Sequence, residues 1–398
     1  MPWKSTGPME ERKQFVLEAL SKRESFSELC RQHGVSRRVR YKWVRRFLQY
    51  GPDGLRDQPR VPYGNSNAYS EGIREAVIEV RKNHRTWGPN KIKASLERER
   101  GDVHWLSRST IHEILKAEGL TKTRRRRPRS PKRPSRLTDG TQPNHVWTMD
   151  HKGWFRTLDG QRCVPLTVWD HASRYCVGCH NQKSTRGSEA QQAMEYTFRE
   201  YGLPEIMRSD NGAPFASASL TGLTRFAIWL LKLGIILERT DPGQPQQNGR
   251  HERGHLTLKQ ETANPPASTY RAQQRRFDQF LKVYNFQRPH EGIDNQYPAD
   301  LYTPSSRSFP QCVSGFEYSG DLEVRLVTLA GQFKFAGARH YLGQVLAGER
   351  IGIEKTQDQY AGIYVGKQHI AWLDKWREKL HPPAHYKRED DTDEEGKE

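Results

Sequence analysis

Arg208-Ser209-Asp210-Asn211-Gly212-Ala213-Pro214-Phe215 is the stretch from which the fold can be read. An apolar pair, Ile206-Met207, runs directly into a carboxylate and then into turn residues, as a strand does when it ends at a site. Asn-Gly supplies the backbone freedom for a sharp exit, and open α/β sheets place their ligands at the carboxyl ends of strands. An ordinary Asx-turn cap explains the same octapeptide, so Asp210 is a candidate to be weighed with other stretches.

Upstream, His145-Val146-Trp147-Thr148-Met149-Asp150 is a β-prone run that also ends in a carboxylate. Residues 164–169 and 174–180 read as two further strands of an antiparallel meander. A helix over 188–201 leads through Gly202-Leu203-Pro204 into the strand before Asp210, and another helix separates that strand from a run at 235–239. This order describes an α/β ribonuclease-H-like core in which Asp150 and Asp210 end adjacent strands. Downstream, the amide-rich loop 242–249 enters a helix over 250–259 with Glu252 in its first turn. Taken alone, Glu252 reads first as an acid paired favourably with the helix dipole.

Further toward the amino terminus the chain is helical and basic. Helices are expected over 9–20 and 25–33. Gly34-Val35-Ser36 then turns into Arg37-Arg38-Val39-Arg40-Tyr41-Lys42-Trp43, with Ser36 as N-cap and Val39, Trp43 and Phe47 on one face. That is a helix-turn-helix pattern, which places Arg37, Arg38 and Arg40 near DNA; a plain helical hairpin with a charged face is the alternative. Residues 70–83 and the segments opened by Trp87-Gly88-Pro89 and Ser107-Arg108-Ser109 form a second helical unit, either a second DNA reader or a spacer. Residues 121–138 hold nine Lys/Arg and no acid. Such a linker stays extended, and Arg124, Arg125, Arg126 and Arg127 are expected along phosphates.

Together, Trp147-Thr148-Met149-Asp150, Ser209-Asp210-Asn211-Gly212 and Asn248-Gly249-Arg250-His251-Glu252-Arg253, followed by Thr257-Leu258-Lys259, resemble a known set of motifs. They are similar, in order, to the three acidic motifs of the retroviral-integrase-like core of bacterial insertion-sequence transposases, the DDE family. Tyr284-Asn285-Phe286-Gln287-Arg288-Pro289-His290 with Pro298-Ala299 resembles the segment that ends that core. The likeness is strong over 144–302 and looser over the amino-terminal region. Asp210 and Glu252 stand further apart than the family's commonest spacing, with the extra residues placed in 221–233.

The resemblance implies a DNA transposase that binds the ends of a mobile element, cleaves DNA and transfers the strand. Asp150, Asp210 and Glu252 would be catalytic and hold two Mg²⁺ ions, with Mn²⁺ as a substitute and Asp150 bridging the pair. Phosphodiesters resist attack, and two ions roughly 3.5–4 Å apart activate a nucleophile while stabilising the leaving oxygen; such hard cations take oxygen ligands. The implied partners are double-stranded DNA, both terminal inverted repeats and target, and further copies of the chain in at least a dimer. His255 and Lys259, one and two turns after Glu252, either meet DNA or form a solvated helix surface. Glu261, nine residues beyond Glu252, faces the opposite way at about 100° per residue and is expected in solvent or beside a basic side chain.

Composition agrees with a polyanionic partner: 398 residues carry a formal charge of +18 with 10% aromatics, and the pI is near 9.7. No apolar run is long enough to span a bilayer. The opening Met1-Pro2-Trp3-Lys4 lacks an export segment, and five cysteines suit a reducing compartment, so a cytoplasmic location is expected. Cys176 and Cys179 with His171 and His180 suggest zinc only superficially. Residues three apart on a strand point to opposite faces and no second Cys pair completes a tetrahedral site, so the thiols are expected in the core or at its rim.

Short β-prone runs at 322–329, 332–335, 350–354 and 362–365 suggest a small β-barrel. The expected division is a helix-turn-helix domain over 1–60, a second helical DNA-binding domain over 65–120, a basic linker over 121–140, a ribonuclease-H-like core over 141–305, a small carboxyl-terminal β-barrel over 318–378 and an acidic disordered tail over 386–398. Two other function classes fit parts of this pattern. A DNA-binding regulator with an inactive core would show the same basic helices, and a metal-dependent cleavage test separates it. A ribonuclease-H-type nuclease acting on RNA in hybrids shares the core fold and leaves the helix-turn-helix unexplained.

Overall fold

The computed structural model describes residues 7–57, 69–121, 137–241, 244, 247 and 249–383. Arg124 to Arg127, part of the loop before residue 249 and the acidic tail lie outside the described residues. The chain separates into two units, Met1–Ala68 and Tyr69–Glu398.

The first unit holds α1 (Pro8–Ser21), α2 (Phe26–Gln32) and α3 (Arg37–Tyr50) around Phe15, Val16, Leu29, Trp43 and Leu55. Ser25 caps α2 by accepting the Glu28 N–H, and Gly34, at φ +62, makes the left-handed turn into α3. Ser36 is the N-cap of α3 without a side-chain bond. The inward face of α3 differs from the expected one. Val39 is 40% exposed, whereas Arg40 and Trp43 are buried and Val44 and Phe47 pack beside them.

In the second unit, α4 (Glu71–Asn83), α5 (Pro89–Glu99) and α6 (Arg108–Ala117) enclose Val77, Trp87, Ile92, Leu96, Ile111 and Leu115. A sheet follows, from β1 (Val146–His151), β2 (Phe155–Arg156), β3 (Arg162–Asp170), β4 (Cys176–Gln182), β5 (Ile206–Ser209) and β6 (Ile236–Arg239). Its order is β2-β3-β1-β5-β6, with β4 also on β3. β1 pairs antiparallel with β3 and parallel with β5, so the meander passes into parallel pairing at the strand that carries Asp150.

Strand alternation sorts the side chains to two faces. Trp147, Met149, Leu166 and Val168 pack with Met194 and Phe198 of α7 (Gly187–Tyr201) and Phe226 and Trp229 of α8 (Arg225–Lys232). On the other face Trp169 packs with Leu258 of α9 (Gly249–Thr262) and Phe277, Phe280 and Tyr284 of α10 (Tyr270–Phe286). Cys176 and Cys179 both lie on this second face, contrary to the alternation expected of residues three apart. The reason is an irregular register: Trp169 pairs with Cys176 and Val168 with Gly178, so Val177 is an extra residue, a β-bulge. Burial holds both thiols well above their ordinary pKa, as core residues.

The carboxyl-terminal strands are β7 (Leu322–Leu326), β8 (Gln332–Phe335), β9 (Ala338–Tyr341), β10 (Arg350–Glu354), β11 (Tyr360–Val365), β12 (Gln368–Asp374) and β13 (Lys379–His381). They do not form the expected barrel. The sheet is open, in the order β13-β12-β11-β10-β7, with β8-β9 as a separate hairpin. Its apolar side is covered from outside, by Leu223 and by Ala227, Ile228 and Leu231 of α8, which pack with Ile351, Ile353, Ile363 and Leu373. A sheet whose inner face is already buried by a helix has no need to close on itself.

Candidate active site

Asp150 leaves β1 on the face that meets α9, because Met149 beside it faces α7. Its register partner on β3 is Thr167. Asp210 follows β5, the parallel neighbour of β1, and accepts the Gly212 N–H at 3.0 Å. The Asx turn read as an alternative is therefore present, and it orients the carboxylate. Asn211 Nδ2 donates to Thr240 O at 2.7 Å, tying this turn to the chain just beyond β6. Glu252 is exposed in the first turn of α9.

Asp150 senses the charge of both other acids. The Asp150 carboxyl is pushed up to about 7, first by burial, then by the charge of Asp210, with Glu252 acting in the same direction. Like charges gathered at a half-buried position are unfavourable by themselves, and a cation relieves them.

α9 is fastened to the sheet by a polar network inside an otherwise apolar contact. Thr167 Oγ1 donates to Asp150 O at 3.0 Å and meets His251 Nε2 at 2.9 Å and His255 Nε2 at 2.7 Å. His251 Nδ1 lies 3.1 Å from Thr148 Oγ1. Burial drives both imidazoles toward the neutral form, His255 down to about 3 and His251 well below its ordinary value. His255 is thus neither a DNA contact nor a solvated residue: it is 5% exposed and packs against the Trp169 ring. Among the described residues, Asp150, His251 and His255 form a group whose possible ligand atoms lie within 4.8 Å of one another. Sequence reasoning missed Thr148, Thr167 and His251. The available signal was the two-residue step from Asp150 back to Thr148 and the His-x-x-x-His spacing on a helix.

Glu261 lies away from this cluster. Its Oε1 accepts from Arg288 Nη1 at 2.9 Å and from Thr86 Oγ1 at 2.6 Å, a junction between α9, the end of α10 and the α4–α5 turn. Lys259 is exposed.

Integrase core domain models match residues 140–245 and 233–298, a helix-turn-helix domain model matches 11–63 and a homeodomain-like domain model matches 40–115. An insertion element IS407 protein of Burkholderia multivorans is 26% identical over 58% of this chain and 81% of its own length. An insertion element IS476 protein of Xanthomonas euvesicatoria is 25% identical over 65% of this chain and 75% of its own. The chain is thus similar to insertion-element proteins, and its residues 140–298 match integrase core domain models. The HTLV-2 integrase catalytic core domain in complex with magnesium is similar at 16% identity, covering 42% of this chain and 100% of that one, with a TM-score of 0.32.

In the amino-terminal unit, Arg37 and Arg38 are exposed at the start of α3. Arg40 is not available to DNA, which corrects the expectation. It is 2% exposed, donates to Leu29 O at 2.6 Å and lies 3.9 Å over the Phe15 ring. Its guanidinium fills the space under α1 that an apolar residue would otherwise occupy. No helix among the described residues is long and apolar enough to cross a membrane.

Proposed function

We propose that this chain is a transposase that binds the ends of its element and carries out metal-dependent DNA cleavage and strand transfer with Asp150, Asp210 and Glu252 as the residues that hold two Mg²⁺ ions, Mn²⁺ serving in their place. The observation that carries the reading is the parallel pairing of β1, which holds Asp150, with β5, which ends just before Asp210, inside the matched integrase core; the upward push on Asp150 from burial, Asp210 and Glu252 agrees with it. Carboxylates are the donors a hard divalent cation takes, and these three come from β1, the end of β5 and the first turn of α9. When bound, such a pair activates the attacking oxygen and stabilises the leaving one.

The chain's own contribution is position. Parallel pairing of β1 with β5 sets the two aspartates side by side, the Gly212 N–H aims Asp210, and the Thr167 network sets the height of α9 and with it Glu252. Arg37, Arg38, Lys259 and Arg124 to Arg127 meet DNA in this reading, the first two at terminal repeats and the linker along phosphates. The working form is at least a dimer, acting in the cytoplasm. Asp150→Asn and Asp210→Asn are the test. Each should abolish Mg²⁺- or Mn²⁺-dependent strand transfer and leave binding to element ends intact, and undiminished strand transfer in either variant refutes the metal assignment.

A further inference from the structure

The tautomers of the two buried imidazoles can be worked out from Thr167. Its hydroxyl has one proton and two lone pairs. Asp150 O is a carbonyl and only accepts, so the proton goes there, over 3.0 Å. Both imidazoles must then donate from Nε2 into the Thr167 lone pairs, at 2.9 Å from His251 and 2.7 Å from His255. Each Nδ1 is left with a lone pair. His251 Nδ1 is engaged with the Thr148 hydroxyl at 3.1 Å, a hydroxyl that also lies 3.3 Å from Trp169 O. His255 Nδ1 lies 3.9 Å from Asp150 Oδ2.

A cation held by Asp150 on this side also meets the ring nitrogen, since ligand atoms of Asp150 and His255 lie within 4.8 Å of one another. We propose that His255 Nδ1 is a ligand of the ion held by Asp150, an imidazole nitrogen added to the three carboxylates. This rests on the metal reading of Asp150 above. Three features support it. The second ring nitrogen is hydrogen-bonded to Thr167, the arrangement that fixes a metal-binding histidine in its tautomer and orientation. His255 lies three residues after Glu252, on the same face of α9. Neighbouring ligands of one ion, with bonds of about 2.1 Å, stand about 3 Å apart, and the Asp150–His255 pair stands at 3.9 Å. His251, with both nitrogens engaged, has none to offer.

A nitrogen ligand favours Mn²⁺ over Mg²⁺, because imidazole suits transition metals and Mg²⁺ prefers oxygen. The experiment uses the full chain loaded with Mn²⁺ and reads electron spin echo modulation from directly bound nitrogen. The expected result is coupling to one imidazole nitrogen that changes on ¹⁵N-histidine labelling and disappears in His255→Gln. The Mn²⁺ binding midpoint of that variant should rise about tenfold, with a smaller change for Mg²⁺. In Asp150→Asn the nitrogen-coupled ion should be lost. Bound Mn²⁺ with no nitrogen coupling in the parent protein overturns this inference and leaves the carboxylate site standing. Failure of Mn²⁺ to bind overturns both. Coupling that survives in His255→Gln assigns the nitrogen elsewhere and overturns it too.

Discussion

Gly254 sits on α9 between His251 and His255, and a methyl group there tests whether this helix is seated as described. A Cβ at Gly254 would lie 2.9 Å from Trp169 Cζ2, closer than real Cβ contacts come, and 3.1 Å from Cη2, tighter than most of them. Trp169 is 5% exposed, and its ring lies 4.5 Å from His251 and 5.6 Å from His255, so it cannot turn aside without displacing both imidazoles. In an unhindered helix, Gly→Ala stabilises by about 1 kcal/mol. Overpacking of a well-filled contact costs about 1–3 kcal/mol. Gly254→Ala should therefore lower stability by roughly 1 kcal/mol, the reverse of the intrinsic preference.

The effect on rate should be larger than the effect on stability. Relief of the clash lifts α9 from β3 and carries Glu252 with it, and a misplacement of about 1 Å at a reacting centre can cost on the order of 100-fold. Urea unfolding and Mg²⁺-dependent strand transfer measure the two quantities. Trp169→Phe removes the colliding ring atoms, so in the Gly254→Ala background it should restore part of the rate. The double-mutant cycle should show coupling of about 1 kcal/mol in favour of the pair. A Gly254→Ala protein more stable than the parent, with full strand transfer, would refute the packing of α9 on Trp169.

Other substitutions divide the remaining assignments. Glu252→Gln should abolish end cleavage and joining, while Glu261→Gln, which keeps an oxygen for Arg288 and Thr86, should leave both within a few-fold; the opposite pattern would place the third acid at Glu261. Arg208 Nε meets Glu238 Oε2 at 2.6 Å with side chains only 4% and 17% exposed. Glu238→Leu alone should then cost about 3 kcal/mol, most of it recovered in the Arg208→Met/Glu238→Leu pair, and an additive pair in urea unfolding would contradict that burial. Arg40→Ala should lower the melting temperature of the amino-terminal unit, whereas Arg37→Ala and Arg38→Ala should weaken DNA binding at unchanged melting temperature. Loss of DNA affinity without loss of stability in Arg40→Ala would return that residue to the surface.

The strands that carry Asp150 and Asp210 were legible because period-two runs ending in a carboxylate need only local information. The opposed directions of Glu252 and Glu261 followed from helix geometry alone, and Glu261 does meet a basic side chain, Arg288. What escaped the sequence depends on distant partners. Arg40 reads as a surface cation until Phe15, from another helix, is seen to lie beneath it. Cys176 and Cys179 seem to point apart until pairing with β3 introduces the bulge at Val177. Thr167 is an unremarkable strand residue until α9 brings two imidazoles to its hydroxyl.

The open carboxyl-terminal sheet and the long separation of Asp210 from Glu252 meet in one element. Residues 221–233, where the extra length between the acids was placed, contain α8, and that helix is buried on two sides. Phe226, Trp229 and Leu230 face the catalytic sheet, while Ala227, Ile228 and Leu231 face the carboxyl-terminal strands. A helix apolar all round is stable only between two layers, which accounts for the most apolar stretch of an otherwise polar chain. Lys232, the charge that interrupts it, is paired with Glu349 at 2.6 Å beside β10. Gln368 Oε1 accepts the Leu237 N–H of β6 at 3.1 Å, so the second sheet also bonds the edge strand of the first. The carboxyl-terminal strands therefore complete the core of the catalytic domain and are not an independent module beside it. Removing them would strip one face of α8 and the edge of β6, next to the strand that leads to Asp210.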